Sequence, residues 1–470
     1  MGTMRKALVI FVLVFALALS GAVYAFSEAS APRDKVEVSE IVRYGEPAAA
    51  EGLSLGLHTQ FDDHLFWDVA YTPNHPEATE TDYRVSTKKD YGIYDDVYLG
   101  INFMSDLDYV YFQYIDGDVV DEELLGGLGR AYYELWQEIP PGGEREKQIY
   151  LKDYLDYYPI GGEVDLPYTY VHFYEHEMRY EEYNAEVHAL INEYFKIPVM
   201  EEERRYISLR KDENGNLRGH GGGSGDGDSY QVWTKCVTLP DAIYFTINNR
   251  TLEDKIVDTS LIPGGYGIYR LPYHASEGGG EVYFEELSTV KSLDEEFDIT
   301  YFLTDEAKEK LILIGKINSQ LRMLVIDAAT METLQDIEIV STGNVGCWQY
   351  FDGGDFLALS IDDNRLGLIE QQESGEYRVR FVVEDIADGT YYNRYDVQDM
   401  AWNGEKLALS GYNGLDNINE RFVADFYYAV FDETGLLCFT DCDSSLCINK
   451  DQQWGCVRGN DVNSMTLEWR

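Results

Sequence analysis

Between Phe297 and Cys442 the chain repeats one order of short segments three times, and this repetition restricts the fold more than any single residue does. Each copy opens on an aromatic segment: Ile299-Thr-Tyr-Phe-Leu, Gly346-Cys-Trp-Gln-Tyr and Asp399-Met-Ala-Trp. A polar turn leads to an apolar segment: Leu311-Ile-Leu-Ile-Gly, Phe356-Leu-Ala-Leu-Ser and Leu407-Ala-Leu-Ser-Gly. The third members are Arg322-Met-Leu-Val-Ile-Asp, Arg365-Leu-Gly-Leu-Ile-Glu and Tyr428-Ala-Val-Phe-Asp-Glu. Runs of four to six residues, rich in apolar and aromatic side chains and bounded by turns, are strands. A group of about four strands returning at roughly 50 residues is one small sheet made again and again. Such a sheet cannot bury both faces alone, so the copies must stack.

The apolar second strand can be traced backwards. It predicts equivalent strands at Leu65, Tyr109, Val187 and Ile243, ahead of Leu311, Phe356 and Leu407, seven in all. Tyr206 to Lys211 followed by Asp212-Glu-Asn-Gly215 reads as a tight hairpin, and Phe431-Asp-Glu-Thr-Gly435 repeats it. The front half is less regular. Val119 to Leu125 and Ala131 to Trp136 read as a short helix or a long hairpin. Gly219 to Ser229 reads as a flexible loop and Gly278-Gly-Gly280 as a hairpin tip, both from composition. Ser464 to Trp469 reads as a last strand, expected to complete the first unit after Tyr83-Arg-Val-Ser.

Acidic residues outnumber Lys and Arg by 85 to 37, a formal charge of −48. That field repels nucleic acid and anionic lipid, so neither is an expected partner. A soluble exported protein and a protein adapted to high salt both fit it. Arg5 and Lys6 precede an unbroken apolar run from Ala7 to Leu19, and Val23-Tyr-Ala25 places small residues where a signal peptidase reads. Residues 1–25 are therefore expected to be a secretory signal, or, uncleaved, a membrane anchor through residues 7–26. Residues 26–51 read as a polar lead-in holding a peripheral strand near Val36 to Val42, and residues 52–470 as one β domain.

From about Leu53 to Arg470 the strand pattern resembles the seven-bladed β-propeller superfamily of exported bacterial proteins. The resemblance implies an all-β fold of seven four-stranded blades. It rests on pattern: Trp67-Asp68 lies inside a strand and not at a blade end, and Asp352-Gly-Gly354 supplies a double glycine only once. The superfamily hosts scaffolds, lyases and hydrolases, so the resemblance leaves function open.

Candidate chemistry is sparse. Among six cysteines, Cys438, Cys442, Cys447 and Cys456 crowd the end at spacings unlike zinc knuckles, which favours disulfides in an oxidising compartment. His172-Phe-Tyr-Glu175-His176 matches an inverted zinc-peptidase motif, but its β-forming context would turn Glu175 away from both imidazoles. Asp212, Asn214 and Asn216 alternate as in a calcium loop without the distal Glu, so no cofactor is expected beyond weak calcium binding. Trp233, Trp348 and Trp402 fall in first strands, where they either ring a binding mouth or pack between sheets. The leading expectation is a non-enzymatic, exported or cell-surface scaffold for a glycan, peptide or protein. The alternatives are a secreted glycan hydrolase or lyase using two carboxylates, and a membrane-tethered sensor or accessory subunit.

Overall fold

The structure, a computed structural model, describes residues 15, 19–21, 36–61, 65–85, 100–105, 127–165, 185–224, 228–275, 282–341, 347–362, 365–384, 397–412, 426–445 and 461–470. The chain first forms strands β1 (Val38–Gly45), β2 (Leu53–Phe61), β3 (Leu65–Tyr71) and β4 (Glu80–Val85). Next come β5 (Gly100–Ser105), helix α1 (Leu128–Glu138), β6 (Glu144–Tyr150), β7 (Ile160–Asp165), β8 (Arg204–Lys211) and β9 (Leu217–Ser224). A run of five follows: β10 (Thr234–Thr238), β11 (Ala242–Ile247), β12 (Gly267–Ala275), β13 (Val282–Phe284) and β14 (Ser288–Ser292). Then β15 (Asp298–Thr304), β16 (Lys310–Ile317), β17 (Gln320–Asp327) and β18 (Thr333–Ser341) form one meander. Another is β19 (Cys347–Asp352), β20 (Phe356–Ile361), β21 (Arg365–Gln371) and β22 (Tyr377–Glu384). The chain ends with β23 (Val397–Trp402), β24 (Leu407–Tyr412), β25 (Phe426–Asp432), β26 (Gly435–Ser444) and β27 (Asp461–Trp469).

The fold is of the β-propeller class, made of small antiparallel sheets: among the described residues three have four strands, two have five, one has three (β6, β8 and β9) and one has two (β5 and β7). The chain divides into two compact units, residues 1–93 with 346–470 and residues 94–345. In the first unit the β19–β22 sheet packs on the β23–β26 sheet through Ala358, Leu368, Leu409, Tyr427 and Phe439. The opposite face of the β23–β26 sheet packs on the sheet of β27, β2, β3 and β4 through Tyr428, Val430, Leu55 and Trp67. This explains why β20 and β25 are apolar throughout: each is covered on both faces, and all six residues of β20 are buried. In the second unit the β10–β14 sheet meets the β15–β18 sheet through Leu239, Tyr266, Phe302 and Leu313.

The second strands expected at Ile243, Leu311, Phe356 and Leu407 are β11, β16, β20 and β24, each second in its sheet. Tyr109 lies outside the described residues. Val187 is corrected: residues 185–194 are helical, and Val187 and Ile191 enter the core on one helical face. The four-residue spacing of those two side chains fits a helix as well as a strand, and packing against Phe195, Phe245 and Tyr269 favours the helix. Ala131 to Trp136 also resolves to helix, within α1.

Gly219 to Ser224 is strand, not loop: β9 pairs with β8 along its length. Two of the glycines there are closely approached by neighbouring hydroxyls. A Cβ on Gly221 would sit 2.7 Å from Ser208 Oγ, and one on Gly222 would sit 2.7 Å from Tyr132 Oη. Both hairpins read from sequence form, with Gly215 and Gly435 at positive φ in their turns.

The peripheral strand in residues 26–51 is β1, which adds to the edge of β26 and buries Val36 and Val38. The C-terminal strand does complete the first sheet, but at the other edge from the one expected. β27 pairs with β2, and Tyr83 already lies in the fourth strand, β4. Leu65 is therefore in the third strand of its sheet, not the second. The overlooked strand is β2, where Leu53, Leu55 and Leu57 alternate inward.

Candidate functional site

A groove of about 460 Å³ opens on the face of the first sheet that lies opposite its packed core. Strand alternation creates it. In β3, Trp67 and Val69 turn into the core, which sends Asp68 and Ala70 to the other face. Register then builds a row across three strands, with His58 opposite Asp68 and Asp68 opposite Asp82. The parallel row holds Thr466, Gly56, Ala70 and Glu80. Its small central residues form the floor between polar walls, and Gly56 leaves room there for the Thr466 hydroxyl. A Cβ at that position would lie 2.4 Å from Thr466 Oγ1.

The polar walls are partly fixed. His58 Nδ1 hydrogen-bonds Asp68 Oδ1, and Arg84 Nε lies 3.7 Å from Asp68 Oδ2. The Arg84 guanidinium in turn covers the buried Phe66 ring at 4.3 Å, which holds it beside Asp68. Asp82 and Glu80 complete an acceptor-rich rim. The arrangement can receive a cationic or hydroxyl-bearing group. Among the described residues no group of three His, Cys, Asp or Glu stands close enough to hold a metal ion.

Elsewhere, carboxyls whose pKa is raised by burial serve packing. Glu203 is fully buried, and its carboxylate accepts from Tyr158 Oη and from Arg205 Nη2 at 3.1 Å. Asp399 accepts backbone N–H bonds from Met400 at 2.9 Å and Leu467 at 2.5 Å, while burial raises it. Asp298 is raised by burial and lies near Arg250, Lys316 and Lys235.

The residues singled out from sequence are scattered. Trp233 stands just before β10 and is 41% exposed. Trp348 lies in β19. Trp402, in β23, is half-buried edge-on to Phe381 and donates from Nε1 to Glu370 Oε1 at 3.3 Å. Cys438 and Cys442 are buried thiols in β26 with no disulfide. Four residues apart on one strand, they are separated by roughly 13 Å, beyond disulfide reach of each other. Cys447, Cys456 and the residues His172, Glu175 and His176 lie outside the described residues. Asp212 Oδ1 accepts the N–H groups of Asn214 and Asn216, each at 2.8 Å, so that alternation makes a turn. Among the described residues no helix is long and apolar enough to cross a membrane.

His58, Asp68, Glu80 and Asp82 were not identified as a site from sequence. Trp67-Asp68 was visible, and alternation does set Asp68 opposite the core face, but its neighbours follow only from strand register.

No family model and no curated protein matches the chain. Among solved structures it is similar to a proposed 6-phosphogluconolactonase from Bacteroides fragilis, with TM-score 0.30 and 8% identity over 90% of this chain and 99% of that one. It is also similar to the Swd1 β-propeller domain of Myceliophteria thermophila, with TM-score 0.23 and 12% identity over 51% and 82% of the two chains. A periplasmic gluconolactonase of Pseudomonas aeruginosa gives TM-score 0.23 and 12% identity over 50% and 76%. Likenesses this distant carry no argument about activity. The class rests on the sheets themselves: small antiparallel sheets, three of the described ones four-stranded, packed face to face within each unit in the manner of a β-propeller.

Proposed function

We propose that this chain is a non-enzymatic binding scaffold whose first sheet takes a cationic group of a peptide or protein partner. The observation behind this reading is the juxtaposition of Asp68 and Asp82 in register, with Glu80 beside them, in a groove floored by Gly56 and Ala70. Like charges directly opposite in a strand pair are destabilising. Arg84 and His58 both approach Asp68, so an ammonium or guanidinium from a ligand would relieve the acidic rim at Asp82 and Glu80. The net charge of −48 adds long-range attraction for a basic partner and hastens encounter. In this reading the protein is exported, on the strength of Arg5, Lys6 and the apolar run that follows, and meets its partner outside the cell.

The test is titration of hexalysine into the protein and into Asp82→Asn/Glu80→Gln, by calorimetry at two salt concentrations. Salt-sensitive binding that weakens at least about tenfold in the variant supports the reading, since charged hydrogen bonds contribute about 1.5–3 kcal/mol. Equal binding by both proteins would refute it. Salt-insensitive binding of a neutral oligosaccharide instead would replace the peptide by a glycan. Release of new sugar ends from a polysaccharide would overturn the non-enzymatic reading.

A further inference from the structure

A second cavity, of about 410 Å³, lies in the other unit, where the hairpin ends of the β10–β14 and β15–β18 sheets meet. Its wall is apolar through Leu239, Val290 and Met331, but two cations line it, Arg270 and Lys308. This is an unusual concentration in a chain with 85 acidic and 37 basic residues. Arg270 is held in place: Nε donates to Tyr244 Oη at 3.2 Å and Nη2 to Asp241 Oδ2 at 2.7 Å. Its Nη1 has no partner among the described residues, and neither does the Lys308 ammonium. Asp241 is the one acidic group in the lining, so two cations face a single carboxylate.

The backbone supplies an independent sign. Apart from Asn and Asp, the described non-glycine residues at left-handed φ are Lys308, Ser319 and Met331. Two of these three line this cavity. Such a conformation costs an ordinary side chain about 1–2 kcal/mol, which glycine would avoid. The cost is borne in two turns: Ala328 N–H donates to Glu309 O at 2.9 Å and ties one to the other, while Lys291 Nζ from β14 donates to Met331 O at 2.7 Å. The turns are thereby held around the opening with Lys308 on its rim.

We infer that this cavity binds a small carboxylate with an apolar tail, its head against Arg270 and Lys308 and its tail along Leu239, Val290 and Met331. A fixed guanidinium with a free N–H, beside an exposed lysine, suits a carboxylate, and the apolar wall gives a short chain a place to leave water. An amine would meet like charge, and a neutral amide would forgo the charge-assisted bonds.

Hexanoate, hexanamide and hexylamine serve as probes, with binding followed by calorimetry and by NMR of the Val290 and Met331 amides. Hexanoate is expected to bind at least about tenfold tighter than hexanamide, with shifts centred on those two residues. Lys308→Gly keeps a turn compatible with φ +57 and removes the cation. It should weaken hexanoate about five- to tenfold with no fall in melting temperature. Arg270→Gln should weaken it further. Equal affinity for acid and amide, shifts confined to other residues, or wild-type affinity in folded Lys308→Gly would each overturn the inference.

Discussion

Leu53 and Trp469, near the two ends of the described chain, face each other across an antiparallel strand pair. The Trp469 indole donates to Ala401 O at 3.0 Å, and Leu467 N–H donates to Asp399 Oδ2. Asp399 is half-buried, and the C-terminal strand is thus bonded to its own sheet and to the sheet beside it. Leu467 is 6% exposed in the core they share. Leu467→Ala should therefore cost about 2–5 kcal/mol, measured by urea unfolding. Removal of residues 461–470 should abolish cooperative unfolding of this unit. A truncated protein with unchanged midpoint would show that the strand contributes nothing.

Glu203 gives a pH prediction. Burial raises its pKa above the ordinary carboxylate value, so the folded state holds a proton more tightly than the unfolded chain. Its contribution is complete below the unfolded pKa, near 4.5, and is lost as pH rises through the raised folded value. Glu203→Gln should flatten this part of the stability–pH curve. Glu203→Ala, which strands Arg205 beside the buried Tyr158, should cost about 3–5 kcal/mol at pH 7. Parallel curves for wild type and Glu203→Gln between pH 4 and 8 would exclude the assignment.

Trp402 and Trp233 should respond differently to truncation. Trp402→Ala removes the contact with Phe381 and the bond to Glu370, and should cost about 3 kcal/mol. Trp233→Ala should cost less than about 1 kcal/mol, because that side chain is 41% exposed. Any ligand whose affinity falls on Trp233→Ala at unchanged melting temperature would place binding at that ring. Equal destabilisation by both substitutions would contradict the packing described.

The buried thiols should be inert in the native state. Burial pushes Cys438 up to about 11 and Cys347 up to about 12, so little thiolate exists at pH 8. Ellman's reagent should label Cys347, Cys438 and Cys442 only after unfolding. Rapid labelling of any of the three in folded protein would contradict their burial.

Where the apolar pattern was unbroken, the sequence was decisive. Leu311-Ile-Leu-Ile, Phe356-Leu-Ala-Leu and Leu407-Ala-Leu are each too short for an ordinary helix and too apolar for a surface strand. A sheet covered on both faces is what remains, and those segments are the second strands of their sheets. The two Gly-containing hairpins were equally legible, because a left-handed turn position has a local cause.

Tertiary structure decided what depends on distant partners. Val187 and Ile191 satisfy a strand or a helix until Phe195, Phe245 and Tyr269 pack on them. Gly219 to Ser224 reads as loop until pairing with β8 makes it a strand, with Ser208 and Tyr132 close to Gly221 and Gly222. Asp68, Asp82 and His58 share a row only through register, as do the two ends joined at Leu53 and Trp469. Local preference is written residue by residue, whereas register and burial are set by chain segments far apart in sequence. Fold class was therefore readable from the chain alone, and the groove was not.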